Sequence, residues 1–322
     1  MNEDLLNVRS LTKEYINKRR IFSRKSHIFK AVDKISFSIR KGETFGLVGE
    51  SGCGKSTTGK MLVRLEEPTT GKIYFKGENL TDLNEKQMQP IRRNLQMIFQ
   101  NPYGSLNPKM TLKQIIEEPL KIHKLAVNNR HKRICQLLDY VGLQSAFLDR
   151  YPSEFSGGQR QRIAIARALS LHPEFIVADE PVSALDVSIQ AHILNLLIDL
   201  QKEFSLTYLF ISHDLSVVRY ISDRAGVMYL GKIVEMADCD NLYDHPLHPY
   251  TKMLLASIPI PDPEKPFEFV TEDLPGIQVS RQKHGCAFYP RCANRIENCL
   301  LDKPELKEIS PGHFAACHLY TT

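Results

Sequence analysis

The stretch that most constrains this chain is Gly49-Glu50-Ser51-Gly52-Cys53-Gly54-Lys55-Ser56, which fits the pattern G-x-x-x-x-G-K-[ST]. It follows an apolar run, Thr44-Phe45-Gly46-Leu47-Val48, and precedes Thr57 to Leu65. The run reads as a buried strand and the following residues as a helix, which is the context the pattern requires. Glycines let the backbone turn its N–H groups inward around a triphosphate. The helix N-terminus adds partial positive charge beneath the anion. Lys55 is placed to reach the β- and γ-phosphates, and the Ser56 hydroxyl to ligate Mg²⁺. A Gly-rich turn that matches by chance is the alternative, and the agreeing flanks argue against it.

The rest of the chain bounds what such a loop can serve. The 322 residues are 42% hydrophobic and 25% charged, which allows one large domain or two unequal ones. A net charge of +5 suits nucleotide anions or an anionic membrane surface but is too small to argue for nucleic acid. The polar, acidic opening Met1-Asn2-Glu3-Asp4 does not read as a signal peptide. No apolar run approaches the ~20 residues that span a bilayer. The expectation is a cytosolic protein; if it works at a membrane, other chains provide the spans.

Leu6 to Leu11 reads as a first strand, and the alternation of Val32, Ile35, Phe37 and Ile39 marks another over Ala31 to Ile39. The basic run 18–25 between them reads as a solvated loop. Tyr15 is a candidate to stack on a purine, with a packed strand-end tyrosine as the alternative. Leu95 to Phe99 is a further buried strand, ending at Gln100. A polar residue at the C-terminal end of a strand in an open parallel sheet points into the ligand crevice, so Gln100 is a candidate for Mg²⁺ or the attacking water. Apolar residues at helical spacing, from Leu112 through Ile116 to Ile134, Leu137 and Val141, indicate a helical subdomain over about 101–168.

Three more segments carry chemistry. Phe155-Ser156-Gly157-Gly158-Gln159 opens a helix and is a second anion-binding N-terminus, or simply a cap with a glycine turn. Phe175-Ile176-Val177-Ala178-Asp179-Glu180 is an apolar strand ending in two acids. Asp179 can hold Mg²⁺ there, and Glu180 can orient or deprotonate the water that attacks the γ-phosphate. Ser183-Ala184-Leu185-Asp186 turns into another helix. The strand Leu206 to Ile211 ends near His213, which can donate a hydrogen bond to a γ-phosphate or serve structure alone.

Together these segments resemble the nucleotide-binding subunits of ABC transporters. The resemblance covers about residues 5–256. It comprises the Walker A loop Gly49 to Ser56, the Gln100 loop, the signature Phe155 to Gln159, the Walker B strand ending at Asp179-Glu180, the D-loop Ser183 to Asp186 and the switch His213. Phe155 departs from the usual leucine. The resemblance implies an α/β P-loop ATPase fold: a RecA-like core with an antiparallel β subdomain and a helical subdomain in residues 1–256, then a small cysteine-containing extension in 257–322. It implies ATP and Mg²⁺ held by Tyr15, by Gly49, Glu50, Ser51, Gly52, Cys53, Gly54, Lys55, Ser56 and Thr57, and by Gln100 and Asp179. Glu180, His213 and Gln100 would serve hydrolysis. Two chains would clamp two ATPs head to tail, with Ser156, Gly157, Gly158, Gln159 and Asp186 meeting the nucleotide on the partner.

Beyond residue 244, His245-Pro246-Leu247-His248-Pro249-Tyr250-Thr251-Lys252, a proline-rich linker over 259–266, Leu274-Pro275-Gly276 and Gly285 to Cys292 resemble the oligopeptide/dipeptide (and nickel) importer ATPases. The opening Phe29-Lys30-Ala31-Val32-Asp33 and the glutamines flanking Arg160 are nearer the F-type than the D-type subunit. Such subunits pair with a D-type ATPase beneath two membrane permease subunits and an extracellular solute-binding protein, at the cytoplasmic face of the membrane. Peptide is the expected cargo and nickel or a metal chelate the alternative. A DNA-repair ABC ATPase would need a long coiled coil, and a ribosome-associated one two cassettes. Cys286, Cys292, Cys299 and Cys317 are spaced C-x5-C-x6-C-x17-C. Zinc sites have tighter pairs, and a cytosolic location argues against disulfides. The expectation is a structural [4Fe–4S] cluster, with Zn²⁺ or unligated packed thiols as alternatives.

Overall fold

The structure, a computed structural model, describes residues 3–17, 27–258 and 284–320. The basic run 18–25, the linker prolines and Leu274-Pro275-Gly276 lie outside the described residues.

Two sheets organise the chain. A four-stranded antiparallel sheet is built from β1 (Asp4–Asn17), β2 (His27–Arg40), β4 (Thr70–Phe75) and β5 (Glu78–Asn79), in the order β2-β1-β4-β5. The larger sheet contains β3 (Thr44–Val48), β6 (Leu95–Ile98), β7 (Phe175–Asp179), β8 (Thr207–Ser212), β9 (Arg224–Tyr229), β10 (Lys232–Asp238), β11 (Lys307–Ser310) and β12 (His313–Ala315). Its order is β11-β12-β10-β9-β3-β8-β7-β6. Strands β9, β3, β8, β7 and β6 run parallel, whereas β10, β12 and β11 join antiparallel at one edge.

The parallel strands read as unbroken apolar runs because both their faces are covered. Phe175 and Val177, with Leu209 and Ile211, face the layer of helix α1 (Lys55–Leu62) and the antiparallel sheet. Ile176 and Ala178, with Tyr208 and Phe210, face the opposite layer. That layer contains the helices α6 (Gly157–Leu169), α7 (Val187–Phe204) and α8 (Leu215–Ile221). The strand period of two thus divides one sheet between two cores. A short helix α2 (Glu85–Ile91) precedes β6. The helices α3 (Pro102–Ser105), α4 (Leu112–Ile122) and α5 (Arg130–Tyr140) form the expected helical subdomain with α6. Helices α9 (Cys239–Asp244) and α10 (Pro249–Ala256) follow β10, and α11 (Asn298–Leu301) precedes the last hairpin.

The order β9-β3-β8-β7-β6 brings distant segments to one edge. The ends of β3, β6, β7 and β8 carry the phosphate loop, Gln100, Asp179-Glu180 and His213. This carboxyl edge is where an open α/β sheet binds ligands.

Candidate functional site

The loop after β3 has a backbone that only glycine fits at its two tightest points. Gly54 has φ +111°, and a Cβ there would lie 2.4 Å from the Ala31 carbonyl oxygen. At Gly49 a Cβ would lie 2.1 Å from the Met228 carbonyl oxygen on β9. Gly231, in the β9–β10 turn, donates its N–H to the Cys53 carbonyl at 2.8 Å. The loop is therefore seated on the β9–β10 hairpin. Buried Lys55 donates from Nζ to the carbonyls of Gly49 and Glu50, at 2.5 and 3.0 Å, and lies 3.8 Å from Cys53 Sγ. Ser51 and Gly52 are exposed at the loop's outer side.

Ser56 donates from Oγ to Asp179 Oδ1 at 2.8 Å. Burial pushes the Asp179 carboxyl above its ordinary value, the Ser56 hydrogen bond opposes this, and the neighbouring Glu180 adds to it. This pair offers hard oxygen donors of the kind Mg²⁺ selects. Glu180, next in sequence, adopts a left-handed backbone with φ +46°. Such a conformation is uncommon for a non-glycine residue and clusters at functional sites. Its Oε2 accepts from Gln100 Nε2 at 2.7 Å and lies 3.3 Å from His213 Nδ1. Three residues far apart in sequence thus meet at one carboxylate oxygen, beside the phosphate loop.

Ser156 caps α6: its Oγ accepts from the Gln159 N–H at 3.3 Å, and Gln159 Oε1 accepts from the Ser156 N–H at 3.0 Å. Ser156 is exposed and Gly158 is buried, with space for a Cβ closed by Ile189 at 2.6 Å. The Gly157 turn abuts Leu185, so the signature and the D-loop pack on each other. Asp186 is exposed at the start of α7 and makes no side-chain capping bond there. Tyr15 donates its hydroxyl to Glu66, Lys13 lies 5.2 Å over its ring, and Thr57 is its neighbour. The ring is exposed beside the first turn after the phosphate loop, with its edge already partnered.

Cys286, Cys292, Cys299 and Cys317, none of them joined in a disulfide, line one pocket together with His248 and His318. Burial pushes the Cys286 thiol up, with Cys299 and Cys292 adding to it. Burial likewise pushes Cys317 up to about 11, with Cys286, Cys292 and Cys299 adding to it. A thiophilic metal suits four convergent sulfurs chemically. However, among the described residues no group of three or more His, Cys, Asp or Glu side chains is arranged to hold a metal ion. The expectation of a cluster therefore draws support from the convergence of the thiols and none from ligand geometry.

Two residues at the phosphate loop escaped the sequence reading. The Glu50 N–H donates to the Tyr250 hydroxyl at 3.0 Å, and the Glu50 carboxylate pairs with Arg291 at 2.9 and 3.1 Å. Both lie in segments that the sequence marks only by family resemblance. No short-range pattern ties them to a loop 200 and 241 residues away.

Among the described residues no helix is long and apolar enough to cross a membrane. Comparison with known proteins agrees with the geometry. A family model described as ABC transporter matches residues 32–183, and one described as the oligopeptide/dipeptide transporter C-terminal region matches 234–299. The oligopeptide transport ATP-binding protein AppF of Bacillus subtilis is 52% identical over 99% of this chain and 98% of its own length. The dipeptide transport ATP-binding protein DppF of Haemophilus influenzae is 47% identical over 98% of this chain and 97% of its own. Among solved structures, a dimeric ATP-binding cassette in a post-hydrolysis state bound to ADP and Pi is 31% identical. It superposes with a TM-score of 0.63 over 73% of this chain and 98% of its own. With relatives this similar along nearly its whole length, the chain belongs to the ABC transporter ATP-binding proteins, in the group that carries the oligopeptide/dipeptide transporter C-terminal region.

Proposed function

We propose that the chain hydrolyses ATP at the cytoplasmic face of the membrane to drive peptide uptake. The proposed assembly has an F-type role for this chain, a D-type ATPase as its head-to-tail partner, two permease subunits and an extracellular solute-binding protein. The names of the relatives favour peptide over nickel or another chelate as cargo. In this reading Ser56, Asp179 and Gln100 hold Mg²⁺, which screens the phosphate charge when bound. The loop amides and Lys55 bind the β- and γ-phosphates, and Tyr15 and Thr57 lie toward the base. Glu180 takes the proton of the attacking water while His213 and Gln100 hold its carboxylate in place. Ser156 and Gly158 of one chain meet the γ-phosphate bound by the other, with Asp186 at the seam.

The observation that carries the reading is the meeting of Gln100 and His213 on one oxygen of Glu180, at the end of the strand whose preceding residue holds Ser56. A carboxylate so held is oriented before substrate arrives. Glu180→Gln should keep ATP bound and trap a closed dimer, while turnover in the assembled complex falls on the order of 10²–10⁴-fold. Normal turnover in that variant would remove Glu180 from the role.

We propose further that the four C-terminal cysteines hold a structural metal, a [4Fe–4S] cluster in preference to Zn²⁺. The support is four thiols lining one pocket in a tail too small to bury a core alone. Protein purified without oxygen should be brown and carry about four iron and four labile sulfide per chain. A colourless protein with one zinc would assign the other metal, and no metal at all would reject the proposal.

A further inference from the structure

Among the described residues the C-terminal module reaches the phosphate loop at Glu50, and that residue is held at three points. Its carboxylate accepts from Arg291 Nη1 through both oxygens, at 2.9 and 3.1 Å. Its N–H donates to the hydroxyl of buried Tyr250 at 3.0 Å. Its carbonyl accepts from Lys55 at 3.0 Å. The support behind Arg291 is stiff. The guanidinium lies 5.8 Å over the Phe288 ring and donates to Met253 Sδ at 3.6 Å. Phe288 in turn packs on Tyr229 and Tyr250, with ring centroids 5.3 and 5.4 Å apart, and those two tyrosines lie 4.5 Å from each other. Arg291 ends a short 3₁₀ turn, Tyr289–Arg291, set between Cys286 and Cys292.

Two physical consequences follow for an anion-binding loop. The Glu50 peptide unit sits among the N–H groups that must point at phosphate, so anchoring its amide and side chain reduces the loop's freedom before ligand arrives. A carboxylate on the rim of a polyanion site would also repel the phosphates, and the fixed guanidinium beside it offsets that charge. We propose that Arg291 and Tyr250 are positioning residues for nucleotide binding: the cysteine module, through Arg291, neutralises and orients Glu50 so that the loop accepts ATP. The proposal rests on the reading of the loop as the ATP site.

The test is titration of the full-length chain with a fluorescent ATP analogue and Mg²⁺, with thermal stability followed in parallel. Arg291→Ala should weaken binding about tenfold, the scale of one lost coupling between contacting groups. In the assembled complex it should raise KM for ATP more than it lowers kcat. Arg291→Lys, which retains the charge, should recover most of the affinity. The decisive variant is the double one. Glu50→Gln removes the carboxylate that Arg291 offsets, so adding it to Arg291→Ala should restore affinity to within about threefold of the unsubstituted chain. A purely structural arginine would not be rescued in this way. An unchanged affinity in Arg291→Ala, or a loss that persists undiminished in the double variant, would overturn the proposal. Failure of the unsubstituted chain to bind nucleotide would instead bring down the ATP reading on which it stands.

Discussion

Asp179 shows at the scale of one residue how a site is built against stability. Its carboxyl is buried beneath Ser56, and burial raises its affinity for a proton above that of an ordinary carboxyl. An acid whose folded value is raised contributes stability below its unfolded value and loses it as pH climbs through the folded one. Above its raised value the ionised Asp179 therefore costs stability in full. Asp179→Asn removes the charge without changing the shape. The variant, without nucleotide, should melt higher than the unsubstituted chain near neutral pH, and the difference should shrink as pH falls below the ordinary carboxylate range. The same change should lower Mg²⁺-dependent ATP turnover on the order of 10²-fold, as for loss of one group stabilising transition-state charge. Paired melting curves from pH 4 to 8 would check the first effect; an Asn variant that melts lower at neutral pH contradicts it. Glu180 follows the same logic in its backbone, since its φ of +46° places a long acidic side chain where few non-glycine residues sit.

At the scale of elements, legibility follows burial. Strand β3 begins and ends at the expected residues because both its faces are covered and the apolar run stops where cover stops; β7 begins at the expected Phe175 but ends at Asp179, one residue before the expected Glu180, whose left-handed backbone leaves the strand. Strands β1 and β2 extend well beyond their apolar cores. Their ends form a two-stranded ribbon, pairing Tyr15 with Phe29 and Ile16 with Ile28, in which exposed residues carry no alternating signal. Helix α1 starts at Lys55, two residues earlier than expected, because Gly54 is already its left-handed N-cap and the loop runs directly into the helix. The same helix holds Gly59, where a Cβ would come within 2.7 Å of Val177 and 2.9 Å of Ile211. That contact seats the helix carrying Lys55 and Ser56 on the strand carrying Asp179, and so sets the Ser56–Asp179 distance. The segments that meet at the phosphate loop were legible because each lies in a short stretch with its own local geometry. The clamp by Tyr250 and Arg291 was not, because its parts become neighbours only when the chain returns to the sheet edge.

That return is a property of the whole molecule. Strand β12 pairs with β10, Glu235 opposite Ala315 and Met236 opposite Phe314, so residues near the C-terminus extend the sheet that holds the phosphate loop. Beneath this seam the fully buried carboxylate of Glu235 accepts from the N–H groups of Leu247 and His248, at 2.7 and 2.8 Å, and lies 2.8 Å from His313 Nε2. One buried acid thereby joins β10, the start of α10 and β12. Nothing in the spacing of residues 235 and 313 announces this pair, and its strength derives from burial that the sequence does not display. Removing one partner of a buried polar group leaves the desolvation cost in place, about 1–3 kcal/mol for a hydrogen bond and more where charge is involved. His313→Ala should therefore lower the unfolding free energy of the full chain by an amount in that range, read as a lower denaturant midpoint at unchanged m. Glu235→Gln with His313→Ala should lose less than the sum of the two single changes, because the second has no carboxylate left to strand. Because β12 also braces the module that presents Arg291, His313→Ala should weaken ATP binding less than Arg291→Ala does, while destabilising the fold more. Equal urea midpoints for His313→Ala and the unsubstituted chain would mean that the seam contributes nothing to stability.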